Sequence, residues 1–328
     1  MIRTLFALAL AVAGPALAAP PPTALVIHGG AGVIERSALS ADDEREVRAA
    51  LDRSLDAGHA VLKDGGSALD AVTAAIVVLE ESPWFNAGKG AVFNAEGGHE
   101  LDAAIMEGHS RRAGAVAGVR TVRNPVRLAR AVMERSPHVM LAAAGAEAFA
   151  DTQPDIERVA PDWFDTERRR RQLEQAQARE RAALRPAPGA YFGTVGAVAL
   201  DAKGHIAAAT STGGMTNKRW GRVGDAPVIG SGTWADATCG VSGTGWGEFY
   251  LRTAAAHAIC ARVGLRGDAL ATAAHAVINE EIPALGGDGG AIALDRQGNI
   301  AMPFNTSGMY RGWIHPDGRR GTAVFREE

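Results

Sequence analysis

The chain has 328 residues, of which 34 are Lys or Arg and 37 are Asp or Glu, giving a net charge of −3. This balance argues against a nucleic-acid partner, because the chain has no excess of Lys and Arg to neutralise many phosphates. Cys239 and Cys260 are too few for a disulfide framework, and they form either one disulfide or two separate buried thiols. The length suits one large domain or two small ones, and no linker or repeat divides the chain.

The first 19 residues have the layout of a secretory signal peptide. Arg3 precedes an apolar run from Leu5 to Val12, and Ala16-Leu17-Ala18 follows as a small-residue cleavage site. This run is too short to cross a bilayer, and no other stretch of the sequence approaches that length. We therefore predict an exported protein, periplasmic or secreted, whose mature form has no membrane partner. An uncleaved anchor or a buried helix is the alternative.

The next segment predicts alternating strands and helices. The apolar run before His28 is typical of a buried strand, and the glycines that follow either direct backbone amides at an anion or reverse the chain. Ser67 and Asp70 form a capping box for a helix that is apolar almost all round, and Pro83 ends it. The predicted elements are strands at 24–27, 101–106 and 113–122, and helices that follow the caps Ser40, Ser67 and Asn124.

Residues 151–193 differ in composition from the segments on either side. They are dense in Arg, Glu and Gln, and prolines follow at 186 and 188. We predict a flexible connector here, with Arg168–Arg171 on the solvated face of a helix. A mobile arm that leads into a buried strand is what an internal processing site requires.

A strand that starts at a threonine follows this connector. Residues 194–201 are small, β-branched or apolar in the pattern of a buried strand. A threonine hydroxyl is a poor nucleophile without a base, but the amine of an N-terminal threonine can be that base. Cleavage between Gly193 and Thr194 would create this amine. The alternative is that Thr194 is one more β-branched strand residue.

The second half continues with strands and helices. After a turn at 201–204, the predicted strands are 205–211, 227–233 and 240–242, the helices are 247–263 and 268–281, and a hairpin spans 291–304. Pro283 is expected to stop the second helix. The order of helices, sheet, second sheet and helices predicts a four-layer α/β fold.

Three clusters at 210–214, 221–225 and 242–248 hold groups that acyl transfer needs. Thr244 and the amide of Gly245 can donate to an oxyanion. Arg222 and Asp225 suit the carboxylate and the ammonium of an amino acid. Taken singly, each cluster is also explained by a surface ion pair or an ordinary turn. The nine histidines show no zinc-binding spacing, and the chain has neither a Gly-x-Ser-x-Gly elbow nor a dinucleotide fingerprint.

Six segments of the sequence follow one another in a specific order. They are His28–Gly32, Phe85–Gly88, Gly193–Ala199, Thr210–Gly214, Gly221–Asp225 and Pro303–Thr306. Together they resemble the plant-type asparaginase/isoaspartyl peptidase family of N-terminal-nucleophile hydrolases. The resemblance covers essentially the whole chain after the predicted signal peptide.

The resemblance implies a four-layer αββα sandwich and a self-cleaving hydrolase that releases L-aspartate from isoaspartyl (β-aspartyl) dipeptides and from L-asparagine. It implies an α subunit, 20–193, a β subunit, 194–328, and an (αβ)₂ assembly. The implied catalytic residues are Thr194 as nucleophile, Thr212 to orient it, Thr244 and Gly245 for the oxyanion, and Asn86 in support. The implied binding residues are Arg222 and Gly247 for the substrate carboxylate, and Asp225 and the Gly245 carbonyl for its ammonium.

The same resemblance implies a sodium ion held by backbone carbonyls and no organic cofactor. The corresponding residues are Leu79, Glu80, Ser82, Phe85, Ala87 and Lys89. Carbonyl oxygens suit a hard cation. Because backbone atoms would bind the ion, the side chains say little about it.

Two departures from the family pattern leave the substrate preference open. The strand that leads into the oxyanion turn is slightly short, and Trp246 is bulky for that turn. A glycosylasparaginase of the same fold is one alternative, although its nucleophile usually follows an acidic residue and precedes isoleucine, where this chain has Gly193 and Val195. An exported binding protein that keeps Arg222 and Asp225 but has lost catalysis is another.

Overall fold

The computed structural model describes residues 23–32, 34–182 and 193–328. The predicted signal peptide, 1–19, and the end of the predicted connector, 183–192, lie outside the described residues. Twelve strands lie in the described ranges and form two sheets. They are β1 Ala24–Gly32, β2 Leu101–Glu107, β3 Ala113–Val119, β4 Met140–Ala142, β5 Val195–Leu200, β6 Ile206–Thr212, β7 Thr233–Ala235, β8 Cys239–Gly245, β9 Gly289–Asp295, β10 Ile300–Ala301, β11 Gly308–Ile314 and β12 Arg320–Phe325.

The first sheet contains the central strand of the fold. Its order is β12-β11-β1-β5-β6-β2-β3-β4, and the second sheet has the order β10-β9-β8-β7. β5 pairs antiparallel with β1 and β6 on its two sides, and every residue of β5 is buried. Because Thr194 directly precedes β5, the predicted nucleophile lies at the end of a buried central strand.

Helices cover the outer face of each sheet. In the described part of the chain they are α1 Ala41–Lys63, α2 Ala68–Glu80, α3 Pro125–Arg135, α4 Ala143–Asp151, α5 Glu167–Arg181, α6 Gly247–Thr253, α7 Ala255–Ala261, α8 Leu270–His275 and α9 Ile282–Ala284. Helices α1 to α3 pack on the first sheet, and α7 and α8 pack on the second. Apolar side chains fill the space between the sheets and the space beneath each helix layer. The predicted four-layer αββα sandwich is confirmed. None of these helices combines the length and the apolar character that crossing a membrane requires.

Side-chain caps explain where the helices begin. Ser40 and Ser67 each accept a hydrogen bond from the backbone amide three residues ahead, at 3.1 Å. Asn124, predicted to cap α3, makes no such bond. The carboxylate of Glu80 instead accepts from the Val126 amide at 3.0 Å, because the end of α2 lies against the start of α3.

Several predicted boundaries are wrong. β1 continues through the glycines at 29–32, with a bulge after His28, rather than ending in a turn. The helix predicted at 247–263 breaks at Ala254, whose φ is +46°, and the strand predicted at 227–233 is replaced by turns before β7. Pro283 does not stop its helix, because π-helical turns, Ala276–Glu281, lead from α8 into the first turn of α9, where proline is tolerated.

The predicted connector contains the helix α5, and its arginine cluster is not wholly solvated. Arg169 is buried, and its guanidinium donates to the carbonyls of Gly90 at 2.6 Å and Trp84 at 3.5 Å. Burial lowers the pKa of Arg169 to about 9. The prediction of a solvated face is therefore wrong for Arg169, because this side chain supplies donors to the loop at 84–90.

A disulfide joins the second sheet to its outer helix layer. Cys239 on β8 and Cys260 on α7 are bonded, with their Cα atoms 5.5 Å apart. The sequence left open whether these cysteines pair. The strand and the helix that carry them pack directly on one another, so the tertiary structure brings the two thiols together.

Candidate active site

The hydroxyl of Thr194 faces a second threonine at the end of the neighbouring strand. Thr194 Oγ1 donates to Thr212 Oγ1 at 3.1 Å. The register of β5 and β6 pairs Val195 with Ser211, which places the two threonines side by side. Thr212 Oγ1 also accepts from the Gly214 amide at 3.0 Å, so the backbone after β6 fixes its orientation.

The peptide bond before Thr194 is held on its carbonyl side. The Asn86 amide donates to the Gly193 carbonyl at 3.1 Å, and Asn86 Nδ2 donates to the Gly214 carbonyl at 2.7 Å. Gly30 packs so closely that a Cβ added there would lie 2.1 Å from Gly193 Cα, and its φ of +111° also favours glycine. The loop of Asn86 and the glycines of β1 thus position the bond predicted to be cut.

Arg222 and Asp225, the residues predicted to form an amino-acid clamp, line the same pocket. Nε and Nη2 of Arg222 each lie 2.9 Å from a different oxygen of Glu248, which makes a bidentate pair. A Cβ at Gly247 would lie 2.7 Å from Asp225 Oδ1 and 2.9 Å from Arg222 Nη2, so this glycine backbone lies against both side chains. Sequence reasoning missed Glu248 as the partner of Arg222, although it lies in the predicted oxyanion turn.

Asp225 is a buried carboxyl with incomplete hydrogen bonding. Burial raises the pKa of Asp225 to about 6, against the opposing effect of Arg222. Its Oδ2 atom makes no hydrogen bond with any described residue. A buried acceptor of this kind is suited to a cationic ligand, because an ammonium group supplies both the positive charge and the missing donor.

The predicted oxyanion residues lie at the end of β8. Thr244 is buried, and its Oγ1 accepts from the Ala31 amide at 3.2 Å. Gly245 has a φ of +154°, and a Cβ there would lie 2.4 Å from the Asp288 carbonyl. Gly245 lines the pocket, whereas Thr244 lies behind it against β1.

One pocket collects most of the predicted site residues, and we call it the threonine pocket. Its polar lining includes Thr194, Thr212, Arg222, Asp225 and Gly245. Met215 and Trp246 supply apolar walls. Trp246 is the residue that the sequence marks as bulky for the oxyanion turn, whereas no sequence pattern points to Met215. The pocket therefore unites groups from strands that are distant in the sequence.

The predicted sodium residues lie at the end of α2 and in the loop that follows it up to residue 90. A Cβ at Gly88 would lie 2.3 Å from the Glu80 carbonyl oxygen, and one at Gly90 would lie 2.1 Å from the Phe85 carbonyl oxygen. These glycines let the chain pass close to the two carbonyl oxygens, and carbonyl oxygens are donors that fit a hard cation. The remaining predicted ligands, at Leu79, Ser82, Ala87 and Lys89, lie in the same segment, and the Lys89 side chain points away to the Trp163 carbonyl.

The side chain of Glu80 has a role that the sequence did not indicate. Its carboxylate is fully buried and accepts from Ser211 Oγ at 2.6 Å. Burial raises the pKa of Glu80 to about 7. Because Ser211 precedes Thr212 on β6, Glu80 ties the helix layer to the strand that carries Thr212.

The four-layer sandwich carries Thr194 and Thr212 side by side at the adjacent ends of β5 and β6, in a pocket that Arg222 and Asp225 also line. These are the parts of an amidohydrolase that uses a threonine hydroxyl. The comparisons agree, and the chain belongs to the asparaginase family, whose model matches residues 21–324. The predicted family and the predicted hydrolase are confirmed.

Named relatives align over most of their lengths. The chain is 50% identical over 311 residues to an isoaspartyl peptidase of Escherichia coli K12, covering 93% of this chain and 96% of the relative. It is 50% identical over 309 residues to the isoaspartyl peptidase of Salmonella typhimurium, covering 92% and 98%. It is 42% identical over 286 residues to the isoaspartyl peptidase/L-asparaginase of Bos taurus, covering 87% and 91%.

The comparisons overturn one prediction. Export to the periplasm or outside the cell is wrong, because the matched E. coli and Salmonella relatives are cytoplasmic-type enzymes. The residues on which export was predicted, 1–19, lie outside the described part of the structure.

Proposed function

We propose that this chain is a precursor that cuts itself between Gly193 and Thr194, and that Thr194 then releases L-aspartate from isoaspartyl dipeptides and from L-asparagine. The activity on these substrates agrees with the names of the aligned relatives, and the main prediction of function is confirmed. Self-cleavage and the role of Thr194 as nucleophile are supported by one observation, the hydrogen bond of 3.1 Å between Thr194 and Thr212 in a pocket that Arg222 and Asp225 also line.

Self-cleavage begins with attack of Thr194 Oγ1 on the carbonyl carbon of Gly193. The hydroxyl proton is transferred to the nitrogen of Thr194, and negative charge develops on the Gly193 oxygen, to which the Asn86 amide already donates at 3.1 Å. The C–N bond then breaks, and an ester joins Gly193 to Oγ1. Water hydrolyses this ester, which leaves a carboxylate on Gly193 and a free amine on Thr194.

Turnover uses the new amine as the base. It removes the proton of Thr194 Oγ1, which attacks the side-chain carbonyl of the substrate, while Thr212 holds the hydroxyl in place. We assign the oxyanion to the Gly245 amide, which lines the pocket, and to the hydroxyl of Thr244 just behind it, whose hydrogen is not used in the bond from the Ala31 amide. Collapse of the intermediate expels ammonia or an amino acid with the transferred proton, and water then releases L-aspartate from the ester.

The clamp selects an α-amino acid with a free carboxylate and a free ammonium. The Glu248 carboxylate engages Nε and Nη2 of Arg222, and Nη1 takes no part in that pair. We assign Nη1 and the Gly247 amide to the substrate carboxylate, and Asp225 with the Gly245 carbonyl to the ammonium. Because both charges of the substrate are matched, a substrate blocked at either group should bind poorly.

The proposal is tested by intact mass of purified protein after incubation at neutral pH. The parent should give two chains, the second starting at Thr194. Thr194→Ala should remain one chain. Thr194→Ser, which keeps a hydroxyl, should still be cut, but more slowly than the parent. Cleavage of Thr194→Ala at the same bond, or a parent that stays whole while hydrolysing substrate, would refute the mechanism.

We also propose a structural sodium ion in the loop from Leu79 to Lys89 and an (αβ)₂ assembly, with a small-molecule substrate and no nucleic-acid partner. The ion would hold the loop that carries Asn86 by engaging its inward carbonyls. A higher unfolding temperature in sodium chloride than in tetramethylammonium chloride at equal ionic strength would support it. Light scattering of the processed enzyme measures the assembly.

A further inference from the structure

A row of hydrogen-bonded polar side chains crosses the interface between the two sheets, among the apolar side chains that pack there. We call it the inter-sheet chain, and it consists of His28 on β1, Ser242 on β8, Thr210 on β6 and Thr233 on β7. His28 Nε2 lies 2.9 Å from Ser242 Oγ, Ser242 Oγ lies 2.7 Å from Thr210 Oγ1, and Thr233 Oγ1 donates to Thr210 Oγ1 at 2.7 Å. All four side chains are fully buried.

The histidine at the end of this chain lies next to the predicted nucleophile. Burial lowers the pKa of His28 to about 3, while the backbone of Thr194 acts in the opposite direction, as a nearby carbonyl acceptor does. His28 is therefore a neutral imidazole with one N–H. Its Nδ1 atom is buried and makes no hydrogen bond of ordinary length and angle with any described residue of this uncleaved chain.

The local sequence makes room for this arrangement. β1 and β5 pair His28 with Gly196, two residues beyond Thr194. A Cβ at Gly196 would lie 2.0 Å from Ser242 Oγ and 2.2 Å from His28 Nε2. Only glycine at this position lets the imidazole and the serine meet above β5.

Self-cleavage changes what holds Thr194. In the uncleaved chain Thr194 is tethered through Gly193, whose carbonyl accepts from Asn86. Cleavage removes that tether and turns Thr194 into a chain terminus, and termini without other contacts fray. A donor directed at the Thr194 carbonyl would replace the lost restraint. The His28 imidazole lies opposite Gly196, two residues further along β5, and its buried Nδ1 makes no hydrogen bond with any described residue.

We propose that His28 is a positioning residue for Thr194 in the processed enzyme. Its proton resides on Nδ1 and is donated to the Thr194 carbonyl, while Ser242 donates to Nε2 and thereby selects this tautomer. In this arrangement Thr233 donates to Thr210 and Thr210 donates to Ser242, which leaves the Ser242 hydrogen for the ring. The carbonyls of Gly232 and Ala226 are the competing acceptors, at 3.1 and 3.0 Å from the hydroxyls of Thr210 and Thr233. The role rests on Thr194 being the nucleophile, and its effect is to keep Oγ1 beside Thr212 after the chain is cut.

Two substitutions of His28 distinguish the roles of its two ring nitrogens. The side-chain amide of His28→Asn falls near the position of Nδ1, and that of His28→Gln falls near the position of Nε2. We expect kcat of His28→Gln to drop at least tenfold below that of His28→Asn, with KM of both within about threefold of the parent. Equal kcat values for the two variants would overturn the proposal.

A direct measurement on the parent does not depend on the variants folding. Nitrogen-15 NMR of the processed enzyme with labelled histidine should show His28 as the Nδ1–H tautomer, without titration between pH 5 and pH 9. An Nε2–H tautomer would overturn the proposal whatever the activity. A failure of the threonine mechanism itself would appear instead as an active Thr194→Ala variant.

Substitutions at two equally buried serines distinguish an effect on the position of Thr194 from an effect on the stability of the fold. Ser242→Ala should lower kcat at least fivefold and admit the other tautomer of His28. Ser54→Ala removes an equally buried serine, which donates to the Ala75 carbonyl at 2.9 Å in the helix layer. It should lower stability to a similar degree without changing kcat. An equal loss of kcat in both variants would show that the inter-sheet chain is only structural.

Discussion

The acid limb of the pH profile should report Asp225 together with the amine of Thr194. Burial raises the pKa of Asp225 to about 6, so the carboxylate that binds the substrate ammonium is protonated below that pH. At pH 5 only about a tenth of the molecules keep this carboxylate, which lowers kcat/KM about tenfold relative to pH 7. The Thr194 amine, with an ordinary pKa of about 8, must also be neutral to act as a base.

These two ionisations predict the slope of the profile. Below pH 6, log kcat/KM for release of aspartate from an isoaspartyl dipeptide should fall by about two for each pH unit in the parent, because two protons must be lost. In Asp225→Asn the overall kcat/KM is much lower and the slope is about one. A parent slope of one between pH 5 and pH 6, or a slope of two that persists in Asp225→Asn, would refute this role of Asp225.

The same residue should show a conflict between function and stability. Because the folded-state pKa of Asp225 is raised from 3.8 to about 6, folding disfavours its ionised form. Stability therefore rises as the pH falls from about 6 towards 4, and at pH 7 the ionised carboxyl costs about 3 kcal/mol. Asp225→Asn should be more stable than the parent in urea unfolding at pH 7, and the difference should shrink at pH 4. A less stable variant at pH 7 would contradict the argument.

Three further predictions concern other parts of the site and the fold. Glu248→Gln weakens the bidentate hold on Arg222, and KM should rise about tenfold while self-cleavage, followed by mass, is unchanged. Gly30→Ala places a Cβ 2.1 Å from the Cα of the residue before the cleavage bond, so the protein should remain one chain, whereas Ala at the exposed, unhindered Gly318 should not affect cleavage. Cys239→Ser or Cys260→Ser removes a disulfide between residues 21 apart in the sequence, and the free energy of unfolding should fall by about 3 kcal/mol. An unchanged free energy of unfolding when the parent protein is reduced would contradict this prediction.

Much of the architecture could be predicted from local patterns in the sequence. The small and β-branched run after Thr194 is the buried strand β5, and the serines before α1 and α2 cap them as expected. These features depend on neighbouring residues, so a single stretch of sequence is enough to specify them. The clamp residues Arg222 and Asp225 were recognisable because they occur in a short motif, and the structure places both in the threonine pocket.

Features that depend on distant contacts were decided only by the tertiary structure. Glu248 pairs with Arg222, Glu80 supports β6 through Ser211, and the inter-sheet chain brings together four strands, although no local pattern indicates which of these side chains pair with each other. The same holds for the capping of α3 by Glu80 and for the disulfide between β8 and α7. The physical reason is that a buried polar group must find its partner wherever the packing of the layers brings one, and that place is not encoded by the residues next to it in the chain.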